Sequence, residues 1–275
     1  MLLIDNSIEG IIFESLNNGP IGTKILIDNV RKQRGSTTKQ GVYLALRNLK
    51  KQEVVVIHNK QVSFNVRWLK NMENYFALAQ RHYFDENIGQ NNFLNLKDGE
   101  KITYSFNDTT QTDSFWWHAL YLLSEAVEDL TEPAYLYNPH EWFFIARTES
   151  EIESLKTISK KRKYLVTASG NTVLDKYVAK YFDGKTSQYY MTGKQLFQKN
   201  NYYLNIVGDF LIEATIDPTV IKIIEDFYNR TTKVTEETHN ELKRLVLIKS
   251  RSKLSISRNK KKAEKLKKIF QKYFV

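Results

Sequence analysis

Over the first 65 residues the spacing of apolar positions changes once, from three-and-four to alternating. Ile8, Ile11, Ile12 and Leu16 fall on one helical face behind Asn6 and Glu9, which pattern as a capping box, and Asn17-Asn18-Gly19-Pro20 ends that helix. A second helix starts at Thr23, turns Leu26 and Val30 inward, and stops at Gly35, a residue suited to the left-handed position after a helix. Thr37 and Gln40 form another box, and behind it Val42, Ala45, Leu46 and Leu49 share the inner face of a third helix. At about 100° per residue, Lys39, Gln40, Tyr43, Arg47 and Lys50 then share the outer arc. Residues 54–58 and 61–64 are β-rich and meet at Asn59-Lys60, which predicts a hairpin. Three helices and a hairpin in this order predict a winged helix over residues 1–65.

Such a helix fits a major groove about 12 Å wide, with its first turns facing base edges and the hairpin touching phosphate. Gln40 carries the amide that pairs bidentately with adenine, and Lys39 and Arg47 suit guanine or phosphate. Thr37, Thr38 and Lys60 are placed to fix the register on phosphate, with Lys50 and Asn59 beside them. A solvated helix face, or a winged helix that docks protein, would leave the same pattern. The run Thr38-Lys39-Gln40-Gly41-Val42-Tyr43-Leu44-Ala45-Leu46-Arg47-Asn48-Leu49, with the valine-rich strand after it, resembles the recognition helix and wing of prokaryotic winged-helix transcription regulators, the TrmB-type family especially. That resemblance implies that Thr38, Lys39, Gln40, Tyr43 and Arg47 read an operator and that the protein acts as a dimer. Leu44 departs from the pattern, being apolar near the exposed side.

From residue 66 to 85 no helix breaker appears, and Leu69, Met72, Phe76, Ala79 and Tyr83 recur at spacings of three and four. The stripe predicts a connecting helix that either pairs two chains or covers its own C-terminal domain. Residues 86–99, rich in Asn and Gly, read as the domain boundary.

Strand-like and helix-like runs alternate from residue 100 to 275, which predicts an α/β layered domain and a multi-domain α/β chain. Strands are expected at 101–106, 134–137, 164–168, 202–207 and 210–216, the last two joined at Gly208-Asp209. Helices are expected from Asp113 to 130, over 150–159, from Asn171 to 182, after Asp217-Pro218, and from Asn259 to Phe274 with Leu266, Ile269, Phe270 and Tyr273 inward. The strand-helix segments 216–228 and 256–270 resemble the close of the phospholipase-D-like sensor domain that TrmB-type regulators carry. Trp116, Trp117, His118, Tyr135, Tyr137, His140 and Trp142 concentrate aromatic rings within a short stretch, and Trp116, Trp117, His118, Tyr137, His140 and Trp142 are the candidate ligand pocket; core packing is the alternative.

Charge and composition refine this picture. The net charge of +10 is uneven: 12 Lys/Arg against 7 Asp/Glu in residues 1–85, 17 against 23 in 86–243, and 12 against 1 in 244–275. Basic ends suit a polyanion, although Lys260, Lys261, Lys262, Lys265, Lys267 and Lys268 also read as a solvated helix face. The absence of cysteine excludes disulfides and thiolate chemistry, and with no long apolar run the expectation is a cytoplasmic protein without a membrane partner. No cofactor, metal or catalytic residue is expected. His58-Asn59-Lys60 is followed by Asn65 where a phospholipase-D nuclease needs aspartate, and Gly184-Lys185-Thr186 has Ala179 where a phosphate-binding loop needs glycine. The expected function is a homodimeric, sequence-specific regulator of transcription that binds double-stranded DNA and has a C-terminal domain for a small-molecule effector or for assembly. The alternatives are a nucleic-acid-processing nuclease and a protein-binding adaptor.

Overall fold

In the computed structural model, which describes residues 7–84 and 93–274, the first helix, α1 (Ile8–Leu16), is capped by Ser7, whose hydroxyl accepts from Gly10 N at 2.9 Å. The cap expected at Asn6 therefore moves one residue on, and Asn6 lies outside the described residues. The apolar face is unchanged, because burial rather than the cap decides which side turns inward. A two-residue strand, β1 (Ile21–Gly22), leads into α2 (Thr23–Arg34), and α3 (Lys39–Lys51) follows. Thr38, not Thr37, caps α3: its hydroxyl accepts from Gly41 N at 3.1 Å. Thr38→Ala should cost about 1 kcal/mol in thermal unfolding of this unit, and an unchanged melting curve would show the cap to be dispensable.

The strands β2 (Val55–His58) and β3 (Gln61–Phe64) pair with His58 opposite Gln61, so the loop is the two residues Asn59 and Lys60. Both have positive φ, 47° and 61°, as a type I′ turn demands. Lys60 O accepts from Thr23 N and Thr23 Oγ1, each at 2.8 Å, which ties the turn to the start of α2. β1 pairs with β3 and completes a sheet of order β1-β3-β2. The sequence did not reveal β1, since two residues carry no readable alternation. Val42, Ala45, Leu46 and Leu49 of α3 are buried with Ile12, Leu26, Val30 and Val62 in one core. The connecting helix α4 (Val66–Phe84) starts on this core, with Trp68 stacked on Phe64 at 5.8 Å and edge-on to Phe13 at 5.7 Å. Residues 1–85 form one unit and residues 86–275 another.

In the second unit, residues 93–95 form a 3-10 turn, with Phe93 and Leu96 buried and Gly99 N donating to Arg258 O, so the later part of the expected boundary segment folds onto the domain. Residues 85–92 lie outside the described set. The elements that follow are β4 (Lys101–Asp108), α5 (Thr109–Ala126), β5 (Ala134–Asn138), α6 (Trp142–Ala146), α7 (Thr148–Ile158), β6 (Tyr164–Ala168) and α8 (Val173–Ala179). Then come β7 (Ser187–Met191), β8 (Tyr202–Val207), β9 (Phe210–Thr215), α9 (Pro218–Arg230), α10 (Glu236–Leu245), β10 (Lys249–Arg258) and α11 (Lys260–Phe270). They build a seven-stranded mixed sheet of order β4-β10-β9-β8-β5-β6-β7, parallel only across β5-β6-β7. The chain is thus a multi-domain mixed α/β protein.

Several expectations for this unit are corrected. Asp108, not Asp113, caps α5, and the helix stops at Ala126 rather than 130; Asp113 lies buried inside it. Thr172, not Asn171, caps α8, in a reciprocal box with Asp175, and the helix ends at Ala179 rather than 182. α11 ends at Phe270, and a 3-10 turn covers 271–273. Lys267, read as solvated, is 3% exposed and forms ion pairs with Glu132 at 2.5 Å and Glu264 at 3.0 Å. Its stem continues the inner stripe of Leu266 and Phe270 while its ammonium finds carboxylates at the edge.

Alternation along the central strands sets the two faces. Tyr135 and Tyr137 of β5, Leu165 of β6, and Leu204 and Ile206 of β8 pack with Ala263, Leu266 and Phe270 of α11. Leu136, Asn138, Val166, Tyr203 and Asn205 point the other way, toward the side where Trp116, Trp117 and Leu120 of α5 lie. β5 and β6 are buried along their whole length because both faces are covered.

Candidate nucleic-acid interface and aromatic pocket

On the first unit, one side of α3 is committed to the core, and the other carries Lys39, Gln40, Tyr43, Arg47 and Lys50, all exposed. Lys39 Nζ lies 6.0 Å from the centroid of the Tyr43 ring. Gln40, Tyr43, Leu46, Arg47, Lys50 and Ile57 line a shallow concavity where α3 meets β2. Asn59 and Lys60 are exposed at the tip of the hairpin, and Thr38 is exposed at the start of α3, while Thr37 is half-buried. Leu44 is 57% exposed, next to Tyr43. Arg34, at the end of α2, and Ser36, in the turn that leads into α3, are exposed and are not among the residues the sequence pattern singles out; their place just before a capped basic helix was the available signal.

Along α4, Leu69 is 42% and Phe76 57% exposed, Met72 and Ala79 are half-buried, and Tyr75 and Leu78 beside them are exposed as well. The side chain of Tyr83 lies outside the described residues.

On the second unit, Trp116, Trp117, His140 and Trp142 share one concavity. His118 and Tyr137, expected with them, do not. His118 points from α5 to an exposed position near Phe115, and Tyr137 is fully buried on the α11 face, hydrogen-bonded to Ser169 and packed on Phe197. Helical rotation removes the first and strand alternation the second. Residues that the sequence did not single out complete the site: Asp113, Asn138, Glu141, Arg147, Glu151, Tyr203 and Asn205.

Asn138, His140 and Glu141 sit at the carboxyl end of β5, with Gly170 just past that of β6, where open α/β sheets keep their crevices. His140 Nδ1 is 2.8 Å from Asp175 Oδ1, and Nε2 is 3.3 Å from Glu225 Oε2. Burial opposes a charge on this imidazole, but the hydrogen bonds to Asp175 and Glu225, with their negative charge, outweigh it and raise the pKa to about 9. The ring lies 4.0 Å from that of Tyr228. A Cβ on Gly170 would collide with both the Asp175 carboxylate and the imidazole, so glycine is what lets this backbone pass.

Three further carboxyl groups face the concavity, Glu141 from the end of β5, Asp113 from α5 and Glu151 from α7. Desolvation raises Asp113 to about 6 against the pull of Arg147, Glu141 to about 7 against a hydrogen bond from Asn138, and Glu151 to about 8, aided by the charge of Asp113. Arg147 pairs with Asp113 and lies 3.7 Å from Glu151. Trp142 Nε1 donates to Tyr203 Oη at 3.0 Å, which fixes one aromatic wall. Among the described residues no group of three His, Asp or Glu is placed to hold a metal, and no helix is long and apolar enough to cross a membrane.

No family model and no curated protein matches the sequence. Among solved structures the chain is similar to TrmBL2, an archaeal chromatin protein described as showing a novel mode of DNA binding. That match covers 94% of this chain and 88% of the other at 10% identity, with a TM-score of 0.34.

Proposed function

We propose that the protein is a sequence-specific, duplex-DNA-binding transcription regulator of a bacterium or archaeon, active as a cytoplasmic homodimer, with an effector site in its α/β unit. The observation that carries this reading is the two-sidedness of α3. Val42, Ala45, Leu46 and Leu49 are consumed by the core, Leu44 stays exposed, and the other side offers Lys39, Gln40, Tyr43, Arg47 and Lys50 to solvent beside a hairpin tipped with Asn59 and Lys60. A convex helix bearing amide and guanidinium donors matches the donor and acceptor code of the major groove, and the lysines match phosphate. Selection of bound sites from randomised duplex DNA, followed by anisotropy on the recovered site, tests it. A preferred half-site repeated about one helical turn away, bound in a salt-sensitive way, is expected; no enrichment over random sequence would refute it.

The dimer reading rests on α4, which at 19 residues and about 1.5 Å per residue is long enough to pair along a short seam. Exposed Leu69 and Phe76 are the side chains it would bury. Leu69→Glu/Phe76→Glu should raise the dimer dissociation constant at least tenfold, on the order of 1.4 kcal/mol or more. Sedimentation velocity that finds the same species in parent and variant would overturn it.

We read the chain as non-catalytic. His58 and Lys60 belong to an exposed hairpin, and both ring nitrogens of the buried His140 are engaged by carboxylates. Neither has the geometry of an attacking group with its base.

A further inference from the structure

The concavity of the second unit has an unbalanced polar lining. Asp113 and Glu151 share Arg147, whereas the Glu141 carboxylate has the neutral Asn138 amide, donating at 2.5 Å, as its hydrogen-bond partner. The positive charge that Glu141 senses, on His140, is already held between Asp175 and Glu225. Asn138 is more than nine-tenths buried, lines the concavity, and its Oδ1 has no hydrogen-bond partner among the described residues. A carboxylate without its own cation and an acceptor without a donor thus stand three residues apart, at the end of one strand. The carboxylate lacks a cation and the amide oxygen lacks a donor, and one protonated amine supplies both.

The rest of the wall is aromatic. Trp116, Trp117, Trp142 and Phe143 surround the polar patch. Trp142 Nε1 is used by Tyr203, and Trp116 Nε1 faces the Asn205 side-chain amide, whose oxygen accepts it once the amide is turned over, so these rings offer faces rather than donors. Indole faces attract cations and apolar bodies alike. Trp116, Trp117, Glu141 and Phe143 keep partial exposure, so the patch is reachable from solvent.

We infer that this concavity binds a protonated primary amine carried on an aromatic or branched apolar body, its ammonium between Glu141 and Asn138 Oδ1 and its body against the tryptophans. The inference rests on reading the second unit as an effector domain and is independent of DNA binding. Desolvation keeps Glu141 partly protonated near neutrality; an ammonium beside it would favour the ionised form, so binding near pH 7 releases protons.

The test uses the full chain and three probes of one shape: phenethylamine, 2-phenylethanol and phenylacetate. Calorimetry reads affinity, and fluorescence reports directly, because three of the four tryptophans line the site. Phenethylamine should bind on the order of tenfold more tightly than the alcohol and tighter still than the carboxylate. Glu141→Gln should erase that preference while leaving the melting temperature equal or higher, since it removes a half-buried carboxylate that lacks its own cation and keeps the shape. If the alcohol or the carboxylate binds as well as the amine, the effector domain stands and its ligand is not a cation. If none of the probes binds, both the cation and the pocket are refuted, and a DNA complex in the same preparation would still stand.

Discussion

Lys39→Ala/Arg47→Ala should weaken binding of the selected duplex by roughly 1–3 kcal/mol for each base that is no longer read, about 2–6 kcal/mol for the pair if they act independently. Both side chains are exposed on α3 while Val42, Ala45, Leu46 and Leu49 hold the helix in place, so the substitutions should leave stability within about 0.5 kcal/mol. Weaker binding would then reflect the interface and not unfolding. Lys50→Ala and Lys60→Ala should behave differently, weakening all duplexes alike and flattening the plot of log affinity against log salt by roughly one each, as expected where a lysine meets phosphate. Anisotropy across a salt series separates the two behaviours. Unchanged affinity in the double variant would rule out docking of α3 in the groove.

His140→Ala should destabilise the α/β unit by about 3–5 kcal/mol. The substitution leaves Asp175 and Glu225 facing each other without the imidazolium that joins them, and strips a ring from the face of Tyr228. Urea denaturation followed by near-ultraviolet dichroism should show the midpoint of this unit falling and that of the winged helix unmoved. The parent should also lose stability as pH rises. His140 titrates near 9 when folded against 6.5 ordinarily, so its contribution is complete below pH 6.5 and disappears through pH 9. Asp113, Glu141 and Glu151, raised to about 6, 7 and 8, act in the same direction: the folded form holds protons that the unfolded chain releases above about pH 4.5. Asp108 and Glu213 are lowered instead, and their effect falls in the acid range, outside this window, while His118, lowered by desolvation, opposes the trend at its lower end as one group against four. Melting should therefore be higher at pH 5 than at pH 9, with the upper part of the decline missing in His140→Ala. A stability that rises over this interval would remove the ionic role assigned to His140.

The first unit was legible because its packing is local. Spacings of three and four place Val42, Ala45, Leu46 and Leu49 inside, and the side chains they leave out, Lys39, Gln40, Tyr43, Arg47 and Lys50, are the exposed ones, so one pattern yields both the core and the candidate site. The caps slipped by one residue, from Asn6 to Ser7 and from Thr37 to Thr38, because neighbouring short polar side chains can each cap a helix that starts one residue apart and only the path of the chain decides. The basic end misled for a related reason. Lys267 looks like its neighbours in composition, and its burial depends on Glu132, far away in sequence.

The amino-acid sequence by itself determined the three helices and hairpin of the first unit, the outward set on α3, the apolar stripe on α4 and the strand-helix character of the remainder, since each follows from periodicity within a dozen residues. Only the tertiary structure decided the order of the seven-stranded sheet and the make-up of the aromatic pocket. Strand pairing joins segments up to about 150 residues apart, as in β4 with β10, and alternation sends Tyr137 to one face and Asn138 to the other. His140, Asp175 and Glu225 meet because the loop after β5 and the helices α8 and α9 converge on one point, and proximity of that kind leaves no trace in spacing along the chain.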